Sequence, residues 1–293
     1  MTRYDPRIGV VGLGAIGLPM AVNLHRAGFA LQVHTRSRTA ERSADLEGAV
    51  ACASPALVAQ NVDVLLVCVS DDSAVEEVLF GADGAAASLR KGSVVLDCST
   101  IAPATAIACA ERLTNAGIHY LDAPVTGGSE GAVAGTLTLL VGGETEALDR
   151  ARPLLEVIGS SIHHFGSVGM GQQVKAVNQV LVAGSYAAVA EAIALGQRLQ
   201  LPMEAVVTAL KQGAAGSWAL SHRSTAMLEG EYPLGFRLDL HHKDLKIALS
   251  SGRDVGLEMP VTHLVQQLEA GLISRGYGNE DVSTLRRFYD GMP

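Results

Sequence analysis

The chain has 293 residues, 48% hydrophobic and 18% charged, enough apolar material for about two packed domains. Its net charge of −8 and pI near 5.6 argue against a nucleic-acid partner or an acidic membrane surface. The four cysteines, Cys52, Cys68, Cys98 and Cys109, show no metal-ligand spacing, so buried thiols and no metal site are expected. The opening Met-Thr-Arg-Tyr-Asp-Pro-Arg passes straight into an apolar strand with no secretory run before it, which predicts a cytoplasmic chain without a signal peptide.

Ile8 to Val11 reads as a short buried strand, followed at once by Gly12-Leu13-Gly14-Ala15-Ile16-Gly17 and a helical pattern through Met20, Leu24 and Ala27. Strand, glycine turn and helix in that order form a dinucleotide cradle. Gly12 permits the turn, Gly14 lets backbone approach a pyrophosphate, and Gly17 lets helix and strand pack closely. The helix N-terminus offers free N–H groups and the positive dipole end to the phosphates. The second strand, Ala30 to His34, ends in Thr35-Arg36-Ser37-Arg38, where an acid would commonly take the ribose hydroxyl of NAD. Two arginines there favour a 2′-phosphate, hence NADP with NAD less favoured; the plainer alternative is the solvated start of the next helix.

Further on, a helix at 54–59, a fully apolar strand at 63–69, a helix at 73–80 and a strand at 93–96 alternate. A helix runs from Pro103 to Asn115, and strands at 137–141 and 162–165 flank a helix from Thr145 to Ile158. This alternation predicts an α/β fold, a doubly wound (Rossmann) parallel sheet over 1–166. Ligands in such sheets bind beyond the strand C-termini, which makes Val69, Ser70, Ser99 and Thr100 candidate pocket walls. The turn Thr126-Gly127-Gly128, with Gly131, Ala132 and Gly135 after it, reads as a glycine loop. Its N–H groups and the Thr126 hydroxyl suit a substrate carboxylate, unless it is a plain turn.

From Gly169 the pattern turns helical, giving an all-α domain over 167–293 that opens on one long buried interdomain helix. Further helices are expected at 203–212, 218–228, 240–255, 260–271 and 282–289. Gly171, Lys175, Asn178 and Gln179 share one face of the long helix: a gap, an amine and two amides, suited to holding and protonating an oxygen atom. The alternative is a snorkelling lysine with surface amides. Asp239 and Lys243 stand four residues apart, as in an exposed helix pair; the functional alternative puts Lys243 at the cofactor and turns Asp244 inward. Trp218, Leu220, Phe236 and Leu240 are candidates for a substrate-tail pocket. His163-His164 and His241-His242 are not spaced to chelate a metal. The Ala-rich long helix suits packing against a second copy, so a homodimer or homotetramer is expected.

Four stretches together carry a resemblance over nearly the whole chain: Gly12 to Gly17 with Pro19-Met20, Asp122 to Gly128, Gly169 to Gln179, and Phe236 with Lys243-Asp244-Leu245. The chain resembles the β-hydroxyacid dehydrogenase family, which includes 3-hydroxyisobutyrate dehydrogenase and tartronate semialdehyde reductase. The resemblance implies Lys175 as the catalytic lysine, Thr100 and Lys243 as cofactor contacts, Thr126, Gly127 and Gly128 as substrate-binding positions, and Phe236 and Asp244 as active-site lining. Thr126 stands where the family usually has Ser, and Gln179 where many members have Asn; the Asn178-Gln179 pair looks like the tartronate semialdehyde reductase branch. The implied activity is the NADP-dependent interconversion of a short semialdehyde acid and its hydroxy acid. Succinate semialdehyde and glyoxylate are alternative small aldehydes, and a catalytically silent dinucleotide-binding scaffold or sensor is the competing reading.

Overall fold

The computed structural model describes residues 6–290; the first five residues of the opening stretch read as leading into the first strand, and the last three of the chain, lie outside the described residues. The chain divides into two compact units, one as far as Lys175 and one from Ala176 on.

The first unit is built on a nine-stranded sheet. Its strands are β1 (Ile8–Val11), β2 (Leu31–His34), β3 (Val50–Ala51), β4 (Val64–Val67), β5 (Val94–Asp97), β6 (His119–Asp122), β7 (Val125–Thr126), β8 (Leu137–Gly143) and β9 (Gly159–His164). They lie in the order β3-β2-β1-β4-β5-β6-β8-β7, with β9 also on β8. The pairs from β3 through β6 are parallel. β8 then runs antiparallel to β6 and β7 and parallel to β9, so the predicted parallel sheet carries an antiparallel margin.

Helices α1 (Gly17–Arg26), α2 (Pro55–Val58), α3 (Asp72–Phe80), α4 (Pro103–Thr114), α5 (Gly128–Ala134) and α6 (Thr145–Ile158) cover the sheet. The apolar run of β4 shows why both faces need covering. Val64 and Leu66 pack with Met20, Leu24 and Leu155 on one side, while Leu65 and Val67 pack with Val75, Leu79 and Leu113 on the other. Alternate residues of a strand point to opposite faces, so four consecutive apolar residues require two cores. Strand order reverses between β2-β1 and β4-β5, which places the glycine turn after β1 at a topological switch point. The stretch expected as a glycine loop is the helix α5, ended by Gly135 in the left-handed region.

Helix α7 (Met170–Arg198) begins in the first unit and continues into the second, joined there by α8 (Met203–Leu210), α9 (Trp218–Glu229), α10 (Leu238–Asp254) and α11 (Pro260–Ser274). Val282–Tyr289 is a 3-10 helix. Ala183, Tyr186, Ala190 and Ile193 of α7 pack with Leu238, Leu245, Val265, Leu272 and Leu285. The expectation of an apolar, wholly buried α7 is corrected: Val177, Leu181 and Leu195 are exposed while Gln172, Lys175 and Gln179 are buried. By length and composition α7 is also apolar enough to cross a membrane, but each of those three inner polar groups bonds to protein. Buried polar groups are tolerated when so satisfied, and that, not hydropathy, sets the inner face.

Candidate active site

The β1–α1 turn has the shape its sequence demands. Gly12 takes φ +97°, and a Cβ on it would stand 2.1 Å from the Cys68 carbonyl oxygen; one on Gly17 would stand 1.9 Å from the Gly12 oxygen. A Cβ on Gly14, by contrast, would meet nothing within 4 Å, so this turn presents bare backbone to an open side. Gly14 and Ala15 are exposed, Leu13 is buried beneath them, and Ile16 enters α1 with no side-chain cap and no acid in the first turn. An uncapped helix N-terminus behind exposed glycine backbone fits a dinucleotide pyrophosphate.

At the end of β2, Thr35 to Arg38 form a turn closed by the Arg38 N–H on the Thr35 oxygen at 3.0 Å, with Arg38 at φ +60°. Arg36 and Ser37 are exposed. The sequence showed no acid at this strand end, yet the structure brings one there. Glu41, in the 3-10 helix Ala40–Arg42, is buried and accepts from the Thr35 N–H at 2.6 Å, and its other oxygen lies 2.8 Å from Arg38 Nε. No strand or helix period reveals such a return; the only signal is a carboxylate a few residues after a basic turn.

At the ends of β4 and β5 the hydroxyls are tied into the scaffold. The Val69 N–H donates to Ser99 Oγ at 3.0 Å, and Ser70 Oγ donates to Asp71, which also caps α3 through the Ala74 N–H. Gln172 of α7 reaches the same place. Its Nε2 donates to the Ser99 oxygen at 2.8 Å, and its Oε1 accepts from the Ile101 N–H at 3.2 Å, flanking Thr100 on both sides.

Asp122 closes β6 with no exposure and holds the start of α7. Its Oδ1 accepts from the Gly169 N–H at 2.8 Å and its Oδ2 from the Gln172 N–H at 2.9 Å. Burial pushes its carboxyl up to about 6, against the pull of those two N–H groups. The gap expected at Gly171 is filled: a Cβ there would stand 2.3 Å from the Leu140 oxygen and 2.7 Å from the Asp122 oxygen. Glycine at this position therefore lets α7 seat on the end of β6 and the middle of β8. One turn later, the buried Lys175 donates from Nζ to the Val125 carbonyl at 2.8 Å, the residue immediately before Thr126. Gly127 and Gly128 follow at φ +131° and +65°, conformations that L side chains resist. In the first unit, then, the amine meets the strand that leads into Thr126-Gly127-Gly128. Asp122 and Gln172, to which the sequence assigned no role, set that placement. A polar residue three positions before Lys175 on the same helix was the available clue.

In the second unit, Asn178 Nδ2 donates to Gln179 Oε1, and Gln179 Nε2 donates to Asp244 Oδ2, both at 2.7 Å. Asp244 Oδ1 pairs with Lys243 Nζ at 3.0 Å. The predicted Asp239–Lys243 surface pair is not formed: Asp239 takes Arg237 instead, and Lys243 takes the buried Asp244. Phe236 stands edge-on to His241 at 5.6 Å between ring centroids, and its N–H is fixed by Asp281. Of the other proposed tail-pocket residues, Leu220 is buried in the helical core, while Trp218 is half-exposed and stacks on His222.

Residues 7–166 match the family model described as the NAD binding domain of 6-phosphogluconate dehydrogenase, and residues 169–289 that described as NAD-binding of NADP-dependent 3-hydroxyisobutyrate dehydrogenase. The chain is 37% identical over 279 residues to 2-hydroxy-3-oxopropionate reductase of Escherichia coli, covering 95% of each. It is 33% identical to 2-(hydroxymethyl)glutarate dehydrogenase of Eubacterium barkeri, over 98% of this chain and 95% of the relative. A solved structure of Psf3 in complex with NADP+ and 2-OPP matches with a TM-score of 0.89 at 27% identity, over 96% of this chain and 99% of that one.

Proposed function

We propose, for a chain that belongs to the β-hydroxyacid dehydrogenase family and is a nicotinamide-dinucleotide oxidoreductase of hydroxyacids, a narrower reaction: the NADP-dependent interconversion of a short semialdehyde acid and its hydroxy acid. The observation that carries it is the Lys175 amine, buried and 2.8 Å from the carbonyl that leads into Thr126-Gly127-Gly128. A dinucleotide would be held by Gly12 to Gly17, with Thr35, Arg36, Ser37 and Arg38 of the β2 turn toward the adenosine ribose and a 2′-phosphate, and its nicotinamide supplies or takes the hydride. Val69, Ser70, Thr100 and Lys243 are the remaining proposed cofactor contacts.

The chain's own residues do the rest. The Thr126 hydroxyl and the Gly127 and Gly128 N–H groups bind the substrate carboxylate, which fixes the aldehyde relative to the lysine. During reduction Lys175 Nζ gives a proton to the carbonyl oxygen as charge develops there; during oxidation the neutral amine removes the hydroxyl proton. Asn178, three residues along α7, offers an amide to the same oxygen. Gln179 holds that amide and is itself held by Asp244, so the longer arm of Gln at this position is used to reach the carboxylate. Phe236 lines the pocket with Asp244. Homodimers or homotetramers through α7 are supported by the exposed Val177, Leu181 and Leu195.

The test is NADPH oxidation with glyoxylate, tartronate semialdehyde, methylmalonate semialdehyde and succinate semialdehyde, alongside Lys175→Ala. Turnover with at least one, abolished in the variant with NADPH binding intact, is the expected result. No absorbance loss with any of them, or more than a few per cent of kcat left in the variant, rejects the reading.

A further inference from the structure

The β2 turn contains an ion pair that the cofactor reading does not use. Glu41 has its side chain almost wholly buried, while its partner Arg38 is 42% exposed. One carboxylate oxygen is taken by the Thr35 N–H at 2.6 Å, with His34 Nδ1 at 3.6 Å; the other faces Arg38 Nε at 2.8 Å. Arg38 sits at φ +60°, a conformation non-glycine residues avoid, so the pair also holds a turn that the backbone alone disfavours. In a fold of this kind the adenosine ribose lies at the end of the second strand, so any 2′-substituent meets Thr35 to Arg38. Of the two cations in that turn, one is spent on Glu41.

We infer that Glu41 is a specificity-determining residue for the dinucleotide: by neutralising Arg38 it leaves Arg36 as the cation presented to a 2′-phosphate, and so limits the preference for NADP over NAD. This rests on the proposed assignment of the β2 turn to the 2′-phosphate. Both oxygens of Glu41 are occupied and the side chain is out of solvent, so it does not take the ribose hydroxyls itself, as an acid at the strand end would. Its effect is electrostatic, through the charge that it cancels.

The test is Glu41→Gln, which keeps an oxygen for the Thr35 N–H and removes the charge. NADPH and NADH are titrated against the intact protein by enhancement of nicotinamide fluorescence, at low and high salt. Unpairing Arg38 is expected to tighten NADPH several-fold, roughly three- to tenfold at low salt, while NADH moves less than twofold. The gain should shrink at high salt, since it comes from a partly exposed charge. Arg38→Met added to Glu41→Gln should return NADPH affinity to about the wild-type value, because the gain comes from the guanidinium that Glu41 otherwise neutralises. An unchanged NADPH-to-NADH ratio in Glu41→Gln, or an equal loss of both, overturns the inference and leaves Glu41 with only the shape of the turn. The underlying assignment has its own readout: Arg36→Ala should cost the wild type most of its preference for NADPH, and no effect of that change rejects the phosphate assignment whatever Glu41→Gln does.

Discussion

Gly171→Ala sets two effects of opposite sign against each other. Alanine is favoured over glycine inside a helix by about 1 kcal/mol. The new Cβ, however, would stand 2.3 Å from the Leu140 oxygen, 2.7 Å from the Asp122 oxygen and 2.9 Å from Asp122 Oδ2. The first two are backbone atoms of the sheet and do not rotate away. Ordinary Cβ contact begins at 3.4 Å, so the start of α7 must retreat by 1.1 Å, the difference between 3.4 and 2.3. That retreat stretches the Gly169 and Gln172 N–H bonds to Asp122 from 2.8 and 2.9 Å toward 4 Å. Overpacking of this kind costs about 1–3 kcal/mol, and each hydrogen bond lost from a charged group about 1.5–3 kcal/mol. The clash therefore wins over propensity, with a net loss of roughly 3–8 kcal/mol and a fall in Tm on the order of 10 °C or more. Lys175 lies one turn further on, and a displacement of about 1 Å in a positioned group is worth about 100-fold in kcat. Gly184 on the same helix is the control, because a Cβ there meets nothing within 4 Å; its change to alanine should raise stability by up to about 1 kcal/mol. Thermal unfolding and steady-state kinetics of both variants decide the matter. A Gly171→Ala protein that melts within a degree of the wild type at full kcat refutes the seating of α7 on β6 and β8.

Asp122 predicts a pH dependence. Its folded-state carboxyl is raised from 3.8 to about 6, so the folded protein prefers the protonated acid. Ionisation then erodes stability as pH climbs from about 4 to about 6, by on the order of 3 kcal/mol in all. In Asp122→Asn that contribution is absent, so the wild type should gain stability relative to the variant as pH falls from 7 to 4.5; urea unfolding at the two pH values giving the same difference would exclude it. Asp244→Asn sets an amide against Gln179 Nε2 or Lys243 Nζ. It should lower kcat roughly tenfold or more while NADPH binding, with Lys243 released from the carboxylate, is not weakened, and equal losses in both would assign Asp244 to the cofactor instead. Gly14→Ala has space in the protein alone, since nothing lies within 4 Å of its Cβ. Melting unaltered with dinucleotide affinity cut at least tenfold is therefore expected, and unaltered affinity would move the pyrophosphate away from this turn.

Legibility in the sequence followed the range of the physics. The run Val64 to Val67, buried on both faces, announced a covered parallel strand because side-chain period and burial are local properties. Thr145 to Ile158 was legible as a helix to the residue, since an amphipathic stripe lies wholly within the segment. The antiparallel β8 was not legible: direction depends on where the chain returns after α5, not on what the strand contains. The helix α5 was missed because three glycines within eight residues speak against a helix, and the sheet it packs on outweighs that weak preference.

What the sequence by itself determined about this protein is the glycine turn between β1 and α1, the alternation that builds the doubly wound sheet, and the identity of the residue types on one face of α7. These depend on neighbours a few positions apart. Only the tertiary structure decided that Lys175 turns inward to the Val125 carbonyl, that Asp122 and Gln172 anchor its helix, and that Glu41 folds back on the β2 turn. Each of those is a polar group sheltered from water; for Lys175, Asp122 and Gln172 its favourable energy exists only once a partner from elsewhere in the chain has closed over it, and for Glu41 only once the chain has turned back on residues three and six positions earlier.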